Sequence, residues 1–136
     1  MANASATVLT LLIAWALLLL VLMELLRTRL VAKGAIAGPE FRPDNANLSP
    51  FMQRLARVHG NCIEGLPIFG GLLIVALLTN RAGITDVLAP WLLLARLVQS
   101  CAHLWSLSVV AVNIRFLAFV VQMIIAVYWC WVLLLQ

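Results

Sequence analysis

Four apolar stretches, each about twenty residues long, leave this chain few ways to fold. They run from Thr7 to Leu26, from about Gly60 to Thr79, from Val87 to Leu107 and from Phe116 to Leu135. Each is near the length an α-helix needs to cross about 30 Å of hydrocarbon. Composition excludes an ordinary soluble domain: 65% of residues are apolar and only 10% charged, with a mean hydropathy of +1.09. The expected fold class is all-α, an integral membrane four-helix bundle forming one domain over residues 1–136. The first stretch is not read as a signal peptide, because Met1 to Ala6 carries no Lys or Arg and no small-residue cleavage site follows.

The net charge of +4 matters less than its placement. Arg27, Arg29, Lys33, Arg42, Arg54 and Arg57 fall between the first and second stretches, and Arg115 between the third and fourth. The opposite connection, Asn80 to Asp86, has Arg81 alone, and neither terminus has a basic residue. The positive-inside rule then puts both termini outside and the basic loops in the cytoplasm. Trp91, Trp129 and Trp131 are expected at the outer interface and Trp105 at the inner one. Nothing in the basic segments resembles a nucleic-acid-binding motif. Cys62, Cys101 and Cys130 form no CxxC pair, so neither a disulfide framework nor a zinc site follows, and Cys62 reads as a small buried hydrophobe.

The segment GAIAGPEFRPDNANLSP, residues 34–50, lacks helical periodicity and reads as a cytoplasmic loop. Ser49 and Pro50 have the form of an N-cap and first helical position, so the second helix should begin near residue 50, in water, and enter lipid near Gly60. Gly65, Pro67, Gly70 and Gly71 predict a kink or close packing in that helix, and Asp86 is a candidate N-cap for the third.

At about 100° per residue, Arg54, Arg57, Asn61, Glu64 and Ile68 fall on one arc of about 80°, with His59 on the opposite side. Glu64 lies about one turn inside the hydrocarbon, where an unpaired charge costs at least about 2.5 kcal/mol. Arg96 is the expected partner. Arg96, Gln99, Ser100 and His103 share an arc of about 100° on the third helix, and Arg115 begins the fourth with Gln122 deeper on the same face. Two polar faces on neighbouring helices predict one polar cleft. No spacing of His59, Glu64 and His103 matches a metal motif.

RLARVHGNCIE, residues 54–64, resembles the R-x-x-R-x-H-x-N-x-x-E signature of the MAPEG family, the membrane-associated proteins in eicosanoid and glutathione metabolism. RLVQSCAHLWSL and NIRF fit as well, and SVVAVNIRFLAFVVQ is similar to bacterial members. The resemblance implies a homotrimer in a bacterial inner membrane, with glutathione as thiol co-substrate bound between protomers near the cytoplasmic side. The matching positions are Arg27, Arg57, Asn61, Glu64, Arg96 and Arg115, with Arg115 in the place of the arginine that stabilises the thiolate; His103 joins them as a binding candidate. Gly60, His103 and Phe119 stand where eicosanoid-synthesising members have an arginine and tyrosines, which argues against eicosanoid specificity.

The reading that follows is a glutathione-dependent transferase or peroxidase acting on hydrophobic electrophiles or lipid hydroperoxides that enter from the bilayer. Its rival is a non-catalytic binding or scaffold protein whose polar cluster only joins helices. A transporter ranks last, because polar residues are numerous only in the cytoplasmic half.

Overall fold

A computed structural model describes residues 3–136. The described residues form helices only: α1 (Ala4–Ala32), α2 (Pro50–Leu78), the short α3 (Ala82–Asp86), α4 (Ala89–Trp105) and α5 (Val109–Leu135), with one 3-10 turn at Gly38–Glu40. By length and composition α1, α2 and α5 are long and apolar enough to cross a membrane. The 17 residues of α4 extend about 25 Å. α1 packs chiefly on α2, and α4 on α5.

Each helix begins where its capping chemistry allows. Ser49 Oγ accepts the Met52 N–H at 3.3 Å, with Pro50 in the first turn as expected. Ser108 Oγ accepts the Ala111 N–H at 3.3 Å, so α5 starts well before Phe116. α2 continues through Pro67, a tolerated break in a span where neighbouring helices can satisfy the freed carbonyl. The expected close packing occurs at two of its glycines. A Cβ on Gly70 would touch Leu9 at 3.2 Å, and one on Gly65 would collide with the Arg96 guanidinium.

Two apolar cores stack along the bundle. Val8, Leu12, Phe69, Leu73, Leu92, Ile125 and Trp129 fill the end that carries the termini, and Ala16, Leu19, Met23, Leu55, Val58 and Cys62 fill the end that carries the long loop. Trp129 therefore departs from the sequence expectation. It is fully buried among α1, α2 and α4 side chains rather than at an interface, while Trp91, Trp105 and Trp131 do face outward. Asp86 departs too. Instead of capping the next helix, its Oδ1 accepts the Ser5 N–H at 2.8 Å and the Ser5 hydroxyl at 2.6 Å, which fastens α3 to the start of α1.

The long loop is clamped. Arg27 donates to Asn45 Oδ1 through Nε at 3.1 Å and Nη2 at 2.6 Å, to Arg42 O at 3.1 Å, and to Glu24 at 3.0 Å. Asn45, fully buried at φ 55°, passes the link to α2 by donating to Met52 O at 2.8 Å. At the other end Arg81 donates to Leu133 O at 2.9 Å and Val132 O at 3.1 Å, covering the last carbonyls of α5.

Candidate functional site

On the loop side, Arg57, Asn61 and Glu64 of α2, His103 of α4, and Pro43 and Asp44 of the loop line a groove of about 360 Å³. The spacing on α2 produces this directly, since positions three and four apart share a face. Farther along the same face, Asn61, Glu64, Ile68 and Phe69 join Arg96, Gln99, Phe119, Met123 and Val127 around a second groove of about 700 Å³ between α2, α4 and α5. The first groove is rich in polar and charged groups and the second largely apolar. They meet at Asn61 and Glu64, which line both.

His103 lines the first groove, whereas Arg115, the sequence candidate on α5, lines neither groove and reaches the site only through its charge on His103. His103 is buried, and the charges acting on it come from Arg115, Arg57 and Arg54. His103 Nε2 and Arg115 Nη1 are both buried without a hydrogen-bond partner. Buried polar atoms are rarely left unpaired, because desolvation without a compensating bond costs about 1 to 3 kcal/mol. Such atoms suit a polar ligand.

Comparison with known proteins bears on this geometry, for the MAPEG family profile matches residues 5–135, nearly the whole chain. The chain belongs to the MAPEG family. No curated protein and no solved structure matched it.

The family signature on α2 separates into residues that face a groove and residues that hold helices. Arg57, Asn61 and Glu64 line the polar groove. Arg54 does not: its Nε donates to Leu104 O at 2.9 Å, near the C-terminal end of α4. Arg27, one of the positions implied by the MAPEG resemblance, is likewise committed within this chain, to the loop clamp and to the Phe41 ring 5.5 Å away.

Two sequence expectations about charge are corrected. Glu64 and Arg96 line the same groove but make no ion pair; among the described residues the one side-chain ion pair is Arg27 with Glu24. Arg96 is buried, donates to Asn61 O at 3.3 Å and lies 5.2 Å from the Phe69 ring centre, while Glu64 is exposed at the groove mouth. A backbone carbonyl and an aromatic face take the place of the carboxylate. Arg115 is also not at the start of a helix. Val109 begins α5, so Arg115 lies beyond the first turn, where the helix dipole contributes little.

Gly65 and the buried partner of Gln99 were not singled out as site residues by sequence. Gly65 admits the Arg96 guanidinium onto α2; the sequence marks it for close packing but does not name the neighbour. Gln122 donates to Gln99 Oε1 at 2.9 Å; the shared face with Arg115 hinted at its direction, but not at its partner. Asp44 carried no signal in a loop without periodicity.

Proposed function

We propose that this protein is a membrane-bound, glutathione-dependent transferase or peroxidase for hydrophobic electrophiles or lipid hydroperoxides, working as a homotrimer. The observation that carries the reading is the junction of a polar groove with an apolar one at Asn61 and Glu64. A tripeptide anion with two carboxylates and an ammonium suits the first, where Arg57 supplies a guanidinium and Glu64 an acceptor. An apolar acceptor arriving laterally from lipid suits the second. The two reactants would meet where the grooves join.

Arg115 is assigned to the thiolate. A free thiol titrates near pH 8.5, so predominant ionisation at neutral pH requires a depression of about two units, or roughly 2.7 kcal/mol. A guanidinium at about 4 Å supplies roughly 4 kcal/mol at an effective dielectric of about 20, before thiolate desolvation is subtracted. Arg115 lines neither groove, and what supports this role is its buried, unpartnered Nη1 together with its charge acting on His103 of the polar groove. The attacking sulfur then forms a bond to the electrophilic carbon; in a substitution the carbon–leaving-group bond breaks and the group departs with its electron pair, and in an addition the displaced π pair takes up a proton from water.

The scaffold reading is favoured at Arg54 and Arg27, whose donors do join segments of the protein. It leaves His103 Nε2 and Arg115 Nη1 unexplained. Titration of the purified protein with glutathione, followed at the thiolate ultraviolet band, tests the proposal. The band should appear on binding at neutral pH. In Arg115→Ala it should vanish while much of the tripeptide affinity persists, and Arg115→Lys should retain part of it. A wild-type thiol titration in Arg115→Ala would remove the arginine from this role and favour the scaffold.

A further inference from the structure

The apolar groove has its polar groups at one end, and their hydrogen-bonding sense is fixed by a residue outside it. Gln122 is fully buried on α5. Its side-chain amide lies 3.0 Å from Ala118 O and 2.9 Å from a side-chain atom of Gln99. A carbonyl oxygen only accepts, so the Gln122 atom facing Ala118 O must be nitrogen, and the Gln99 atom it meets must be oxygen. The Gln99 carbonyl is thereby occupied, which leaves the Gln99 NH2 as the free end of a side chain that lines the groove. Arg96, beside it on the wall, is also a donor only. The arrangement strands Gln122 Oε1, buried with no partner. A buried unsatisfied carbonyl is unfavourable, so helix packing alone accounts poorly for this pair.

We infer that Gln99, oriented by Gln122 and seconded by Arg96, is a donor pair for a carbonyl oxygen of the acceptor substrate, and that the preferred acceptors are long-chain α,β-unsaturated carbonyl compounds. This deepens the thiol-transfer reading and rests on it for the chemical step. Gln99 lines the same groove as Asn61 and Glu64, the residues at the junction, so a carbonyl held at Gln99 keeps its conjugated carbon in the groove that opens onto that junction. The thiolate sulfur bonds to the β-carbon and the carbon–carbon π pair shifts to give an enolate. The Gln99 and Arg96 donors stabilise the enolate oxygen, and water delivers the proton to the α-carbon. Nothing leaves, and no oxidant or reductant is required. Donors aimed at a developing oxyanion act on kcat more than on substrate binding.

The test compares a long-chain enal with a benzyl halide, which has no acceptor atom to receive these donors, using the full-length protein and glutathione. Gln99→Met should lower the ratio of kcat on the enal to kcat on the benzyl halide about a hundredfold. Gln122→Met, a positioning change, should shift the same ratio in the same direction by a smaller factor, with the KM for the enal little altered. Equal slowing of both substrates, or no slowing of the enal, overturns the inference while leaving thiol transfer intact. A binding measurement on unmodified protein needs no chemistry. A saturated long-chain ketone should displace an apolar fluorescent probe at least tenfold better than the hydrocarbon of equal length, and Gln99→Met should erase the difference. Equal displacement in the wild type overturns the donor assignment. If the ketone is preferred but no electrophile is turned over, the donor assignment stands and the thiol-transfer reading falls.

Discussion

A Cβ on Gly65 would run into the Arg96 guanidinium and approach the Phe69 ring to 3.1 Å, so the bare backbone at that position is what lets a buried cation lie across α2. Gly71, on the same helix, has nothing within 4 Å of where a Cβ would stand. The two glycines therefore respond oppositely to alanine. Gly65→Ala should destabilise the protein by about 1 to 3 kcal/mol through overpacking, and Gly71→Ala should stabilise it by up to about 1 kcal/mol through helix propensity. Thermal unfolding of both variants in one detergent separates the effects, and equal shifts would mean that Arg96 simply swings aside. The sequence marked both positions alike, because a glycine in a membrane helix signals close approach without naming the neighbour. Formal charge alone pairs Arg96 with Glu64, whereas Asn61 O and the Phe69 ring carry no formal charge and come within reach of Arg96 only once α2 and α4 are packed.

At the scale of elements, α2 was legible at both ends and α5 at one. Ser49 and Pro50 declare the start of α2 through local chemistry. The apolar stretch from Phe116 puts Arg115 at the start of the fourth helix; Ser108 instead caps α5 about two turns earlier. That difference moves Arg115 away from the helix dipole, so its proposed action on a thiol rests on charge proximity alone. The loop before α2 had no legible structure because its order comes from tertiary bonds, chiefly those of Arg27 with Asn45. Arg27→Ala should leave Asn45 Oδ1 buried without its donors, at about 1 to 3 kcal/mol, and that free energy should appear locally. Limited proteolysis ought to cut within residues 34–49 faster than in the wild type, with the helical circular dichroism unchanged. Unaltered cleavage would show that the clamp is dispensable.

For the molecule as a whole, the apolar lengths predicted the helices, and the signature predicted the polar face of α2, but the junction of the two grooves needed α4 and α5 in place. The remaining question at this scale is how the bundle sits in the bilayer. Length and composition mark three helices as spans, and three crossings would put the termini on opposite sides. The packing argues for four. α4 has buried residues from Ala89 through His103 and packs chiefly on α5, so a membrane holding α5 holds α4 beside it. Its 17 residues cover about 25 Å, short of the hydrocarbon thickness by an amount that local thinning or tilt of neighbours accommodates at modest cost. With four crossings both termini share a side, and the basic residues choose which. Six of the nine Lys and Arg residues lie between the first two apolar stretches, and the one basic residue of the opposite connection, Arg81, is held on the carbonyl end of α5. Both termini should therefore lie outside the cytoplasm. A reporter active only outside should work when fused before Met1 or after Gln136, and one inserted after Gly38 should be silent. If the two terminal fusions disagree, α4 does not cross. If they agree but only the Gly38 insertion is active, the bundle is inverted and the polar groove opens away from the cytosolic glutathione that the proposed chemistry requires.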